Sequence, residues 1–252
     1  MQLSYCGTGY HGWQYQPNAV SVQSTIEEAM SRILGLRVPL TGAGRTDAGV
    51  HAAMMVAHFD VAEPLVAPER LVRGLNALLP PGIAVQRVVA VHDDAHARFD
   101  ATARTYKYFA HTKRSAFLDA GSWLCPPSLD FDAMNEAAAL LPRFTDFTSF
   151  SKLHTDVKTN NCRIDEARWQ RVTSDLALPP YTGDRWVFTI TADRFLRNMV
   201  RAVVGTLVEV GRHKIGPNDV AEIIERKDRC AAGTSMPAHA LYLWHIEYPY
   251  FR

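Results

Sequence analysis

The stretch Gly42-Ala43-Gly44-Arg45-Thr46-Asp47-Ala48-Gly49-Val50-His51 holds one carboxylate, Asp47, beside one arginine, with glycines on both sides and no bulky neighbour to cover it. Such a carboxylate can attack an electrophilic carbon or take up a proton. Arg45 offers a planar cationic fork suited to phosphates or to stacking on a base. Gly42, Gly44 and Gly49 let the backbone take positive φ and let another molecule come close. A single Asp in a glycine-rich loop is ordinarily a turn former, but a tight turn is a poor account of a whole stretch that packs so little. Two familiar motifs are excluded. The dinucleotide fingerprint requires a third glycine where Asp47 stands, and the phosphate-binding loop requires a Gly-Lys pair that is absent here.

The elements that must position this loop follow from periodicity and punctuation. Gln2–Tyr5 reads as a strand and Gly7-Thr8-Gly9 as a turn. Val22, Ile26, Ala29 and Ile33 recur at helical spacing behind Ser21, a plausible N-cap. Val38–Leu40 is expected to lead into the loop as a strand and Ala52–Phe59 to return as one. A helix should begin at Pro68, run through Leu71, Leu75 and Leu78, and stop at Pro80-Pro81-Gly82, with a strand over Ile83–Val91. The second half offers strands at Arg104–His111, Arg163–Val172, Arg185–Thr191 and Leu241–Glu247. Its helices are expected at Asp132–Leu141, Leu196–Val210 and Asn218–Arg226. This order predicts an α+β protein of two similar halves, 1–100 and 101–252. Each has a largely antiparallel sheet with helices on one face, and the active-site cleft is expected between them.

Composition narrows the class. The chain has 252 residues, 47% hydrophobic and 21% charged, enough for a sizeable core, with a net charge of only +1. Bulk attraction to a polyanion is therefore excluded, and any RNA binding must use a local basic surface. Four cysteines without C-x-x-C spacing fit reduced thiols. Neither a signal peptide nor an apolar run of the roughly 20 residues that span a bilayer is visible, so a cytoplasmic protein without membrane contact is expected.

Further chemistry is suggested elsewhere. Arg98 to Tyr108 mixes basic and aromatic residues, and strand alternation puts Arg104, Tyr106 and Tyr108 on one face. That mixture suits unpaired bases and phosphates, or else a solvated strand with half-buried tyrosines. On the expected helix Leu196–Val210, Arg194, Arg197 and Arg201 share a face beside an apolar stripe. Bracketed by Val200, Val203 and Val204, Arg201 is expected to be partly buried and to need an anion. His92 and His96 have metal spacing only on a helix, which Asp93-Asp94 disfavours; no third ligand is apparent, and no metal site is expected.

Gly42–Ala52, reading GAGRTDAGVHA, resembles the catalytic loop of the TruA-type tRNA pseudouridine synthases. Tyr10-His11-Gly12-Trp13-Gln14, His96-Ala97-Arg98-Phe99, Asp146-Phe147-Thr148-Ser149-Phe150, Met199-Val200-Arg201 with Gly205, and Leu241-Tyr242-Leu243 resemble the same family in the same order. The resemblance spans essentially the whole chain; its one small departure is Ala240, where many relatives have glycine. It implies isomerisation of uridine to pseudouridine in the anticodon stem-loop of tRNA, at tRNA positions 38 to 40, by a homodimer that uses no cofactor or metal. It also implies residue roles: Asp47 as the essential carboxylate paired with Arg201, Arg45 filling the gap left by a flipped base, and Tyr106 over the target uracil. His96, Arg98 and Phe99 match an RNA-contacting segment, and His154–Lys158 stands where the family has another tRNA-contacting loop. Two other readings remain. A non-catalytic RNA-binding protein leaves Asp47 in its glycine setting without purpose. A small-molecule enzyme with Asp47 as general base leaves the arginine–tyrosine strand unexplained.

Overall fold

The computed structural model of the chain describes residues 1–152, 159–173 and 181–250. The elements in order are β1 (Gln2–Tyr5), α1 (Val22–Leu34), β2 (Thr41–Gly42), β3 (His51–His58), α2 (Pro68–Leu78), β4 (Ile83–Arg87), β5 (Ala103–His111), β6 (Trp123–Leu124), α3 (Phe131–Ala138), β7 (Ile164–Arg171), β8 (Arg185–Ala192), α4 (Met199–Gly211), α5 (Asp219–Glu225) and β9 (Leu241–Glu247). The fold is α+β, with mostly antiparallel strand pairs. Contacts divide the chain into two compact units, one of Met1–Thr102 with the stretch from Tyr242 onward, the other Ala103–Leu241. Among the described residues no helix is long and apolar enough to cross a membrane.

In the first unit the strands run β4-β1-β3-β9. β1 is antiparallel to β3 and β4, and β9 runs parallel to β3 with Tyr242 opposite His51. Alternation along β1 buries Leu3 and Tyr5. Leu3 stands opposite Met55 on one side and Val85 on the other, so three strands contribute one buried apolar row. Ser21 caps α1 through a reciprocal box with Ser24, and left-handed Gly35 ends it. Met30 is buried, whereas Ile33 of the expected stripe lies at the rim, 37% exposed. The expected strand Val38–Leu40 does not form. The Leu40 amide donates to the Glu27 carboxylate at 2.8 Å and its carbonyl accepts from Gln23 at 2.9 Å, so α1 takes the groups a sheet neighbour would use. α2 begins at Pro68 as punctuation required.

In the second unit β8 lies between β5 and β7, antiparallel to both, and the two-residue β6 runs parallel to the end of β5. Tyr108, Phe188 and Trp169 stand opposite one another across three strands as the aromatic centre of the core. α3 packs on α4, and a Cβ added at Gly211 would fall 2.6 Å from the Met134 sulfur. The helix expected from Leu196 starts instead at Met199, because Asn198 has φ +66° and ends the preceding segment in the left-handed region. Arg194 and Arg197 therefore precede the helix and do not share a helical face with Arg201.

Candidate active site

The loop carrying Asp47 is built by interlocking two stretches distant in sequence, 5–13 and 42–51. A Cβ on Gly7 would lie 2.1 Å from the Val50 carbonyl oxygen, and one on Gly12 would lie 2.2 Å from that of Thr46. Gly12 has φ +88°, so conformation and close approach both require glycine there. Gly42 faces the Trp13 indole, where an added Cβ would meet Nε1 at 2.3 Å. The Gly49 amide donates to the Tyr10 carbonyl at 3.2 Å, and the Val50 amide returns to the Asp47 carbonyl at 3.1 Å. Beneath the loop, the Tyr5 hydroxyl and Thr46 Oγ1 share a buried hydrogen bond of 2.8 Å. His51 is buried, accepts the Gly7 amide on Nδ1 at 3.1 Å and stacks on Tyr242 at 4.5 Å. Thr46 and Val50 are thus fixed in the core while Asp47 between them stays half-buried and Arg45 exposed. Added bulk at Gly44 would meet nothing within 4 Å, so glycine there serves no packing need and leaves open space next to Arg45.

This arrangement holds a carboxylate on a backbone that cannot easily shift, with solvent access on its own side, which suits a group that reacts with an incoming molecule. Part of this was hidden in the sequence. Tyr10, Gly12, Trp13 and Tyr242, from two of the quoted blocks, turn out to be packing partners of the Asp47 loop, but nothing in the spacing showed that Tyr5, Gly7 and Tyr242 would hold it.

His96, Arg98 and Phe99 also belong to the first unit, in a turn where Phe99 is 73% exposed. Tyr106 and Arg201 belong to the second. Tyr106 is half-buried on β5, its ring edge-on to Phe195 at 5.0 Å, and shares its strand face with fully buried Tyr108. Arg201 lies in the first turn of α4, half-buried as expected. It grips Met236 twice: Nε donates to the Met236 carbonyl at 2.6 Å and the Arg201 carbonyl accepts the Met236 amide at 3.1 Å. Gly205 permits this, since a Cβ there would lie 1.8 Å from the Thr234 carbonyl oxygen. The Asp146–Phe150 block proves structural. Asp146 Oδ1 accepts the Thr148 amide and hydroxyl at 3.0 and 2.6 Å, Oδ2 pairs with Lys227 at 2.9 Å, and Phe147 and Phe150 are fully buried. His154–Lys158 lies outside the described residues. Among those described, no cluster of three or more His, Cys, Asp or Glu could hold a metal ion, and the four cysteines are free thiols.

Residues 2–100 and 143–249 match the family described as tRNA pseudouridine synthase. The chain belongs to this family, and is therefore an enzyme of the isomerase class. Its relatives include the tRNA pseudouridine synthase A of Parabacteroides distasonis, 55% identical over 247 residues, covering 98% of this chain and 94% of the relative. The protein of the same name from Porphyromonas gingivalis is 56% identical over 252 residues, covering 98% and 95%. That of Bacillus subtilis is 39% identical over 251 residues, covering 98% and 97%.

Proposed function

We propose that this chain converts uridine to pseudouridine in the anticodon stem-loop of tRNA, at tRNA positions 38 to 40, with Asp47 as the essential carboxylate. The observation that carries this reading is the interlocked loop, which fixes the backbone on either side of Asp47 and leaves the side chain half-open. In the reaction the N1–C1′ glycosidic bond breaks, the uracil turns in its pocket, and a C5–C1′ bond forms. The proton on C5 is lost and N1 gains one, so the reaction is balanced without an external reactant. Two routes start from the carboxylate: addition to C1′, which makes a covalent intermediate, or removal of the C2′ proton, which helps the base to leave.

A paired uridine is out of reach within a stem, so the base is flipped out. Arg45 is exposed on the same loop and fills the space the base vacates, its planar cation stacking on the neighbours. Tyr106 stacks on the flipped ring. Arg201, its guanidinium set by the double grip on Met236, is the cation that serves the Asp47 carboxylate, a role the family resemblance suggests. Two chains act together as a homodimer on one tRNA, in the cytoplasm.

Release of tritium from tRNA labelled at uracil C5 tests the reading, because once C5 is joined to C1′ it loses that hydrogen to give the product. Wild type should release label with no added cofactor, and Asp47→Ala should bind tRNA without releasing any. Release by Asp47→Ala at a rate near wild type would overturn the assignment.

A further inference from the structure

All five backbone amides of the turn His96 to Asp100 donate hydrogen bonds, and the His96 and Ala97 carbonyls accept. Three successive amides donate to imidazole nitrogens: Ala97 to His58 Nδ1 at 3.0 Å, then Arg98 and Phe99 to His96 Nδ1 at 3.1 and 3.2 Å. The His96 amide donates to the Asp100 carboxylate at 2.6 Å, and the Asp100 amide returns to the His96 carbonyl at 3.1 Å. The Tyr248 hydroxyl donates to the Ala97 carbonyl, and the Tyr250 hydroxyl holds Asp100 at 2.9 Å. A ring nitrogen that accepts carries no proton, so the amides are received on the bare Nδ1 of each ring. The two rings meet edge-on at 4.7 Å. What this frame presents is Phe99, with the His96 ring 4.2 Å from its centroid and the Arg98 guanidinium carbon 5.7 Å away.

An isolated exposed ring needs no explanation. A ring carried on a turn whose five amides are all tied down is different, since ordering that turn costs conformational entropy. Rigid presentation is what stacking on a mobile unpaired base rewards. Resting on the tRNA reading above, we propose that residues 96–100 form a preorganised platform on which Phe99 stacks an unpaired base of the tRNA, Arg98 takes the adjoining phosphate, and the imidazoles of His58 and His96 position the turn from behind. His96 is then a positioning residue and not itself an RNA contact. His58, which no motif marks, is its partner in that task.

The arrangement is sensitive to acid. Protonating His58 on Nδ1 replaces an acceptor by a donor facing the Ala97 amide, which also donates, and that bond is lost. Burial holds His58 below the ordinary histidine value of 6.5, helped by the His96 ring and the Met1 amino group and opposed by Asp60 and Asp100. His92, hydrogen-bonded to Asp94 and edge-on to the Tyr250 ring, completes the charged surroundings. With a lowered folded value, the unfolded turn binds the proton more readily, so the contribution of His58 to the turn's order is complete above about pH 6.5 and fades as pH falls through the lower folded value. Protonated histidines on the exposed surface would tighten binding to a polyanion; the platform predicts the opposite sign.

The test measures affinity of the full chain for an unmodified tRNA transcript across a salt series. Phe99→Ala should weaken binding roughly 5- to 150-fold at unchanged salt slope, the loss of one stacked base, while Phe99→Trp retains it. Arg98→Ala should lower the slope by about one. From about pH 7.5 to about pH 5.5, wild-type affinity should fall. The His58→Asn variant, whose amide oxygen keeps an acceptor near the Nδ1 position but does not titrate, should bind like wild type at the higher pH and lose the acid fall. Wild-type affinity in Phe99→Ala, or an acid fall that persists in the asparagine variant, overturns the platform. A wild type that binds no tRNA contradicts the functional reading instead.

Discussion

Asp47 sits on a backbone that other residues hold still, so its neighbours are as testable as the carboxylate itself. Gly12→Ala puts a Cβ against the Thr46 carbonyl and forces a left-handed conformation on alanine. The conformational term alone costs about 1 to 2 kcal/mol, and the displaced loop should lower kcat well beyond what that loss of stability explains. Gly44→Ala meets no atom within 4 Å and has no unusual φ. Its melting temperature should match wild type, so a loss of tRNA affinity there would place a ligand over that glycine. Thermal unfolding alongside steady-state kinetics separates the two variants.

At the scale of elements, two features of the second unit carry predictions. Tyr108 on β5 is fully buried, and its hydroxyl lacks a hydrogen-bond partner among the described residues; burial pushes its phenol well above the ordinary tyrosine value. Tyr108→Phe removes a desolvated polar atom and little else, and should stabilise the fold by about 1 kcal/mol in denaturant unfolding. The Asp146 turn has the opposite character. Lys227, and after it Thr148, hold the Asp146 carboxyl below the ordinary 3.8. Its contribution to stability is therefore complete above 3.8 and fades as pH falls through the lower folded value. Asp146→Asn keeps an acceptor for Thr148 but loses the ion pair. The cost should be below about 1 kcal/mol at neutral pH, because the pair is largely exposed, and the difference from wild type should vanish in strong acid.

At the scale of the whole molecule, a net charge of +1 leaves little general attraction for a polyanion. Affinity for tRNA must then come from a few placed residues, and a second copy of the chain would double them. Sedimentation at micromolar concentration should find a dimer, and a monomer there would contradict the proposed assembly. Much of the fold was legible in the sequence because its signals are local. Ser21 before an apolar stripe and Pro68 before Leu71 and Leu75 mark helix starts within a turn of where they lie. The misses have non-local or conformational causes. Val38–Leu40 has the composition of a strand but gives its backbone bonds to Gln23 and Glu27. The left-handed turn at Asn198 that delays α4 has no spacing signature. The Asp47 loop stood out in the sequence through Asp, Arg and Gly. Its supports did not, since Tyr5 and Thr46, 41 positions apart, meet only through the fold. His58 was silent for the same reason, being 39 positions from the amide it accepts.

The most direct test is the position-resolved pseudouridine content of an unmodified tRNA transcript after incubation with purified wild type and with Asp47→Ala, no cofactor being added. Pseudouridine at tRNA positions 38 to 40 with wild type, and none with Asp47→Ala although it still binds the transcript, is the predicted result. Pseudouridine formed equally by both proteins, or by wild type only outside the anticodon stem-loop, would contradict the account.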